Sequence, residues 1–187
     1  MAVYFRVETK SLEPVPGMSS DQFTIYEDGQ LVSSYESKQT ILNPEAAAAH
    51  YTLLLVDMSG SVAESDDAAL VGEAAQEFTS RVGAHNVVGV YAFDGAENIH
   101  KIRDFGPVND GDVSVQEALS TYKPEDPSTN LHGAVVQGID LLDKALAKST
   151  KPMKFGTLVV FTDGTDRANR VSWGEMTSKI YSIDQDN

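Results

Sequence analysis

The chain has 187 residues, with 14 Lys and Arg against 28 Asp and Glu for a formal net charge of −14, 41% hydrophobic residues and no cysteine. That is enough apolar material for one folded domain, or one with an appendage, and too little charge for a disordered chain. An isoelectric point near 4.5 repels phosphate backbones and sets nucleic acid aside as a partner; no apolar run approaches the roughly 18 residues of a spanning helix, so no membrane insertion is expected; the lack of cysteine excludes disulfides, thiolate nucleophiles and sulfur-bound zinc.

Residues 1–46 read as a β-rich appendage. Its first residues alternate polar with apolar and form no signal-peptide core, with Val3, Phe5 and Val7 on one side of a strand. Residues 22–27 and 30–36 flank Asp28-Gly29, a hairpin-turn pair. Residues 43–50, with Pro44 and four alanines, read as a connector. Residues 47–187 form the second unit, where from Tyr51 onward apolar runs alternate with helical periods. This pattern predicts an α/β fold, a doubly wound, mostly parallel sheet with helices on both faces. The predicted elements are a buried strand at 52–56 ending at Asp57, and a helix at 66–82 capped by Ser65 with Val71, Ala75, Phe78 and Val82 on one face. A strand at 86–93 is joined through an Asp94-Gly95 turn to an antiparallel edge strand at 98–103. Helices at 114–122 and 131–148 precede a strand at 157–161, a short helix near 171–178 and a last strand at 179–183.

In such a sheet, ligands bind beyond the carboxyl ends of the strands. The first core strand delivers Asp57-Met58-Ser59-Gly60-Ser61 there, the strand at 157–161 delivers Thr162-Asp163-Gly164, and the loop Asp126-Pro127-Ser128-Thr129-Asn130-Leu131 enters the long helix. Alternation lets Asp57, Ser59 and Ser61 turn toward one point, and Gly60 lets the backbone bend closely around it. Carboxylates and hydroxyls without nitrogen or sulfur make a hard site suited to Mg²⁺, Mn²⁺ or Ca²⁺. Two carboxylates offset a divalent charge, and a small octahedral cation keeps waters or one open position. An acidic side chain of a partner protein can fill that position.

Asp57-Met58-Ser59-Gly60-Ser61 fits an Asp-x-Ser-x-Ser pattern, and at these residues the chain resembles the von Willebrand factor type A domain with its metal-ion-dependent adhesion site. Thr129, in Ser128-Thr129-Asn130-Leu131, matches the family's single threonine, and Asp163, in Phe161-Thr162-Asp163-Gly164, its distal aspartate. The resemblance, which runs from Tyr51 to the C-terminus, implies a Rossmann-like fold. It also implies metal contacts from the hydroxyls of Ser59, Ser61 and Thr129, with Asp57 and Asp163 contributing directly or through water. Residues 21–29 are similar to the β-rich segment preceding this domain in some bacterial proteins. The family's sheet continues past residue 183 with further helices and a sixth strand. The resemblance therefore implies either a fragment or a replaced element, and gives no ground to expect the affinity switching that in some members depends on the final helix.

The aspartate closing a strand also evokes haloacid-dehalogenase-like phosphatases, but those need Asp-x-Asp, and Ser59 stands where their second carboxylate would be. A receiver domain wants paired acids at the first strand's end and a late lysine; Ser61 lacks the Gly-x-Ser-x-Gly surroundings of a hydrolase elbow. His50, His85, His100 and His132 show no metal-ligand spacing, and Trp173 reads by default as a core residue, with a partner-facing hot spot as the alternative. Asp66, Asp67, Asp110, Asp112, Glu125 and Asp126 read mostly as a solvated acidic face, with those near the site favouring cations and lysine-rich partners. The expectation is a non-enzymatic, divalent-metal-dependent, adhesion-type binding module for a protein ligand, working at the cell surface, outside the cell or in the periplasm. The competing expectation is a structural or assembly subunit whose metal faces no ligand and whose β appendage forms the working interface.

Overall fold

The computed structural model describes residues 5, 7–33, 47–65, 67–107 and 114–183. Val3, residues 34–36 of the second hairpin arm, residues 43–46 of the connector, Asp66, Asp110 and Asp112 lie outside them. The chain divides into two compact units, Met1–Ala46 and Ala47–Asn187.

In the first unit, β1 (Tyr26–Glu27) pairs antiparallel with β2 (Gln30–Leu31), in the register Tyr26↔Leu31 and Glu27↔Gln30. Asp28 and Gly29 make the turn at φ 51° and 78°, the two left-handed residues that a type I′ hairpin requires and that suit glycine best. The pairing is therefore that of the expected hairpin, with shorter arms. Among the described residues of the expected strand, neither Phe5 nor Val7 lies in a strand. Instead the backbone reverses at a turn in which Leu12 sits at φ 65°, the Val15 amide donates to the Val7 carbonyl at 3.0 Å, and a single bridge joins Glu8 to Pro14. Pro14 and Pro16 lack the amide a longer ladder would need. The Phe5 and Phe23 rings meet at 4.8 Å.

The second unit is built on β3 (Ala48–Asp57), β4 (Val87–Phe93), β5 (His100–Gly106) and β6 (Met153–Phe161), in the order β5-β4-β3-β6. Both neighbours of β3 run parallel to it, and β5 is the antiparallel edge. Residues 53–56 of β3 are entirely buried, because a central parallel strand is covered on both faces; each such side chain is worth about 1.5–3 kcal/mol of burial. Leu54, Val56, Val88 and Val90 form one core layer with Ala75 of α2 (Ala68–Gly83) and with Val115 and Leu119 of α3 (Val115–Ser120). Leu53, Leu55, Tyr91 and Phe93 form the opposite layer with Ala134 and Leu142 of α4 (Leu131–Ala147). A one-turn helix, α1 (Gly60–Ala63), follows β3, and α5 (Trp173–Tyr181) ends the described chain.

Three expectations need correcting here. Ala48 and Ala49, assigned to the connector, begin β3, where they pair in register with Met153 and Lys154 of β6; sheet pairing overrides their weak strand preference. Asp94-Gly95 is not a tight hairpin turn, because β5 starts only at His100 and Asp94 is drawn inward. Residues 179–181 are helical rather than the start of a strand: a capping box between Ser172 and Glu175 starts α5, Met176 packs on Val135 and Ile139 of α4, and Lys179 reaches Asp140 at 2.7 Å.

Candidate functional site

The carboxyl ends of β3, β4 and β6 open into loops that hydrogen-bond one another. β3 ends at Asp57, 1% exposed, whose Oδ1 accepts the Ser59 amide at 3.0 Å and whose Oδ2 accepts the Thr162 hydroxyl at 2.7 Å. The Met58 amide donates to the Phe93 carbonyl at 2.8 Å, continuing the β3–β4 pairing past the strand end. The buried Ser59 hydroxyl lies 3.3 Å from that of the exposed Ser61. Gly60 presses its backbone against the next loop: its amide donates to the Pro127 carbonyl at 3.0 Å, and a Cβ there would stand 2.9 Å from the Pro127 Cβ.

Thr129 is 5% exposed, and its carbonyl accepts the amides of Arg167 at 2.9 Å and Ala168 at 3.0 Å. Asn130 caps α4 by accepting the Gly133 amide at 3.2 Å, while its own side-chain amide donates to the Ala96 carbonyl at 2.8 Å. Asp163 directly follows Thr162 and is exposed. Thus Asp57, Ser59 and Ser61 form one hydrogen-bonded cluster, the neighbour of Asp163 bonds to that cluster, and the Thr129 loop is tied to it through Gly60 and Pro127. Among the described residues, no hydrogen bond joins the side chains of Thr129 or Asp163 to the cluster.

The donor set fits a hard cation. Asp57 is a buried carboxylate whose two hydrogen-bond donors, an amide and a hydroxyl, are both neutral, and buried charge calls for a compensating charge. The surrounding donors are oxygens only. No three His, Cys, Asp or Glu side chains gather as metal ligands among the described residues, so a cation here depends on the hydroxyls as much as on the carboxylates.

Several supporting residues escape a motif reading. Asp94 closes β4 as Asp57 closes β3 and is equally buried, at 1% exposure. Its carboxylate accepts the Ala96 amide at 2.7 Å, the Glu125 amide at 2.7 Å and the Tyr122 hydroxyl at 3.0 Å, and its carbonyl accepts the Asn130 amide at 2.8 Å. Asp94 thereby fixes the loop that carries Thr129. Burial first, then the Asp94 and Glu125 charges, holds the Tyr122 hydroxyl far above its ordinary pKa of 10.0. The sequence signal for Asp94, an aspartate ending an apolar strand, is the same one that marks Asp57. His100 lies 3.9 Å from Asp94, and His132 bonds the Val171 carbonyl at 2.9 Å. Trp173 is not a core residue: it is 66% exposed, with its ring edge-on to His132 at 5.7 Å.

A family model described as the von Willebrand factor type A domain matches residues 52–165. No curated protein matches the chain. Among solved structures, the chain is similar to proximal thread matrix protein 1 from the mussel byssus, with 15% identity, 65% of this chain and 32% of that one covered, and a TM-score of 0.46. It is also similar to the pilus adhesin SpaC from Lactobacillus rhamnosus GG, with 22% identity, 64% and 15% covered, and a TM-score of 0.47. For the vWF domain of the type V pili tip protein Mfa5 from Porphyromonas gingivalis, the values are 16% identity, 63% and 38% covered, and a TM-score of 0.42. The chain therefore spans well under half the length of these structures. With the family match running from the buried strand β3 through the loop that follows β6, the chain belongs to the von Willebrand factor type A domain family.

Proposed function

We propose that this chain is a divalent-metal-dependent, adhesion-type protein-binding module without catalytic activity. The observation that carries the reading is the buried Asp57 carboxylate, held by Ser59 and Thr162 at the mouth of the sheet with the Ser59 and Ser61 hydroxyls beside it. Ser59, Ser61 and Thr129 would hold the ion through hydroxyls, and Asp57 and Asp163 would hold it directly or through water. Bound Mg²⁺, with Mn²⁺ or Ca²⁺ as substitutes, would supply a Lewis-acidic position that an aspartate or glutamate of the protein ligand completes. Asp57 fixes the Ser59 turn, and Gly60 keeps that turn against Pro127, so the donors are positioned before binding. Consistent with adhesion-type use, the module works outside the cell, at its surface or in the periplasm.

Asp57→Ala is expected to abolish Mn²⁺ binding in a calorimetric titration, together with the rise in melting temperature that Mn²⁺ gives the wild type. Metal binding that survives this change and is merely weakened a few-fold would contradict the site. Metal-dependent stabilisation with no metal-dependent capture of any acidic peptide would instead favour the structural-subunit reading.

A further inference from the structure

The strap between β6 and α5, residues 164–172, is exposed but firmly held. Its Arg167 and Ala168 amides bond the Thr129 carbonyl. Asp166, with its side chain 2% exposed, accepts the His132 amide at 3.0 Å through one oxygen and the Asn169 amide at 3.0 Å through the other. Asn169 is held at φ 50°, in the left-handed region. Arg170 bonds the Gly95 carbonyl at 2.6 Å and the Asp126 carboxylate at 3.2 Å.

On this scaffold two large side chains point to solvent. Arg167 is exposed, and no hydrogen bond or ion pair among the described residues engages its guanidinium. Trp173, at the start of α5, is 66% exposed and backed by His132. A backbone-held loop that presents an unpaired arginine and an exposed tryptophan has two of the residue types that most often anchor protein interfaces, with the backbone ordering cost already met. The backbone bonds from Arg167 and Ala168 to Thr129 place this surface directly beside the candidate metal site.

We infer that the strap is a specificity surface for an acidic segment of a protein partner, with Arg167 pairing a carboxylate and Trp173 packing an aromatic or aliphatic side chain. These contacts are additional to the carboxylate that completes the metal site, so the inference rests on the metal-dependent reading above. Arginine suits the role because its fork binds a carboxylate bidentately.

The test is selection from a randomised peptide library with a fixed central aspartate, on the immobilised chain, in Mg²⁺ and in EDTA. Trp173 is the only tryptophan, so binding of each selected peptide is read as a blue shift of its emission. The expected result is Mg²⁺-dependent enrichment of peptides with a second acid and an aromatic residue. Arg167→Glu should exchange the acid for lysine, and Trp173→Ala, followed by anisotropy of labelled peptide, should weaken binding about thirtyfold. Both positions are exposed, so unchanged melting temperatures verify folding. Mg²⁺-dependent capture without flanking preference, unchanged in both variants, overturns the strap surface and leaves the metal reading standing. The same motif selected in EDTA and lost in Arg167→Glu overturns the metal reading and leaves the strap. No enrichment over the double variant in either buffer rejects the strap surface.

Discussion

Asp57 is held by two neutral donors, and the Thr162 hydroxyl is the one that comes from a different loop, just past β6. Thr162→Val keeps the shape and removes the donor. Because the bond goes to a carboxylate but from an exposed residue, the cost in stability is expected to be about 1 kcal/mol, read by urea denaturation. Mn²⁺ affinity is expected to fall about tenfold or more, as for other groups that orient a metal ligand, read by calorimetry. Tyr122 bonds the equally buried Asp94. Its hydroxyl is held above its ordinary pKa of 10.0 by burial and by the Asp94 and Glu125 charges. The folded state thus favours the neutral phenol, so the stability from this group is complete below pH 10 and is lost as pH rises further. Melting temperature followed from pH 9 to 11.5 is expected to fall less steeply in Tyr122→Phe than in the wild type. Equal slopes would mean that the Tyr122–Asp94 contact has no energetic weight.

Among the elements, β3 is the most legible in the sequence. A run of apolar residues that ends at an aspartate can only be covered on both faces, and residues 53–56 are indeed entirely buried. The Asp28-Gly29 hairpin is legible because only certain residues tolerate two consecutive left-handed conformations. The segment at 179–183 misleads, because its alternating isoleucines and tyrosine carry strand character, while a capping box seven residues earlier and the packing of Met176 on α4 decide for helix. At the site, the Asp-x-Ser-x-Ser turn is local and readable, whereas the roles of Asp94 and Thr162 depend on contacts made 28 to 105 residues away. Gly60 links the two levels: it belongs to the motif, yet its need for glycine comes from Pro127, in a separate loop. Gly60→Ala, with its Cβ 2.9 Å from the rigid Pro127 ring, is expected to cost about 1–3 kcal/mol. It should also weaken Mn²⁺ binding, since the β3 loop and the Thr129 loop must separate. Denaturation and calorimetry on the same variant check both.

At the scale of the molecule, a net charge of −14 draws cations toward the whole surface and raises their local concentration around every carboxylate. Loose surface association is broad and screened by salt, whereas a built site saturates and persists. Occupancy by an ion should stabilise the fold by about 2.7 kcal/mol at a hundredfold excess over its dissociation constant, and chelator should remove that gain. The sheet brings Asp57 and Thr162 together because β3 and β6 are adjacent and parallel, so their ends open at the same edge. The central claim is that this edge holds one hard ion among Asp57, Ser59, Ser61, Thr129 and Asp163. The most direct measurement is anomalous diffraction from crystals of this chain grown with Mn²⁺. The expected result is one strong peak in contact with the three hydroxyls and within direct or one-water reach of both carboxylates. A peak elsewhere, or Thr129 and Asp163 turned away from Ser59 and Ser61 with manganese present, would contradict it.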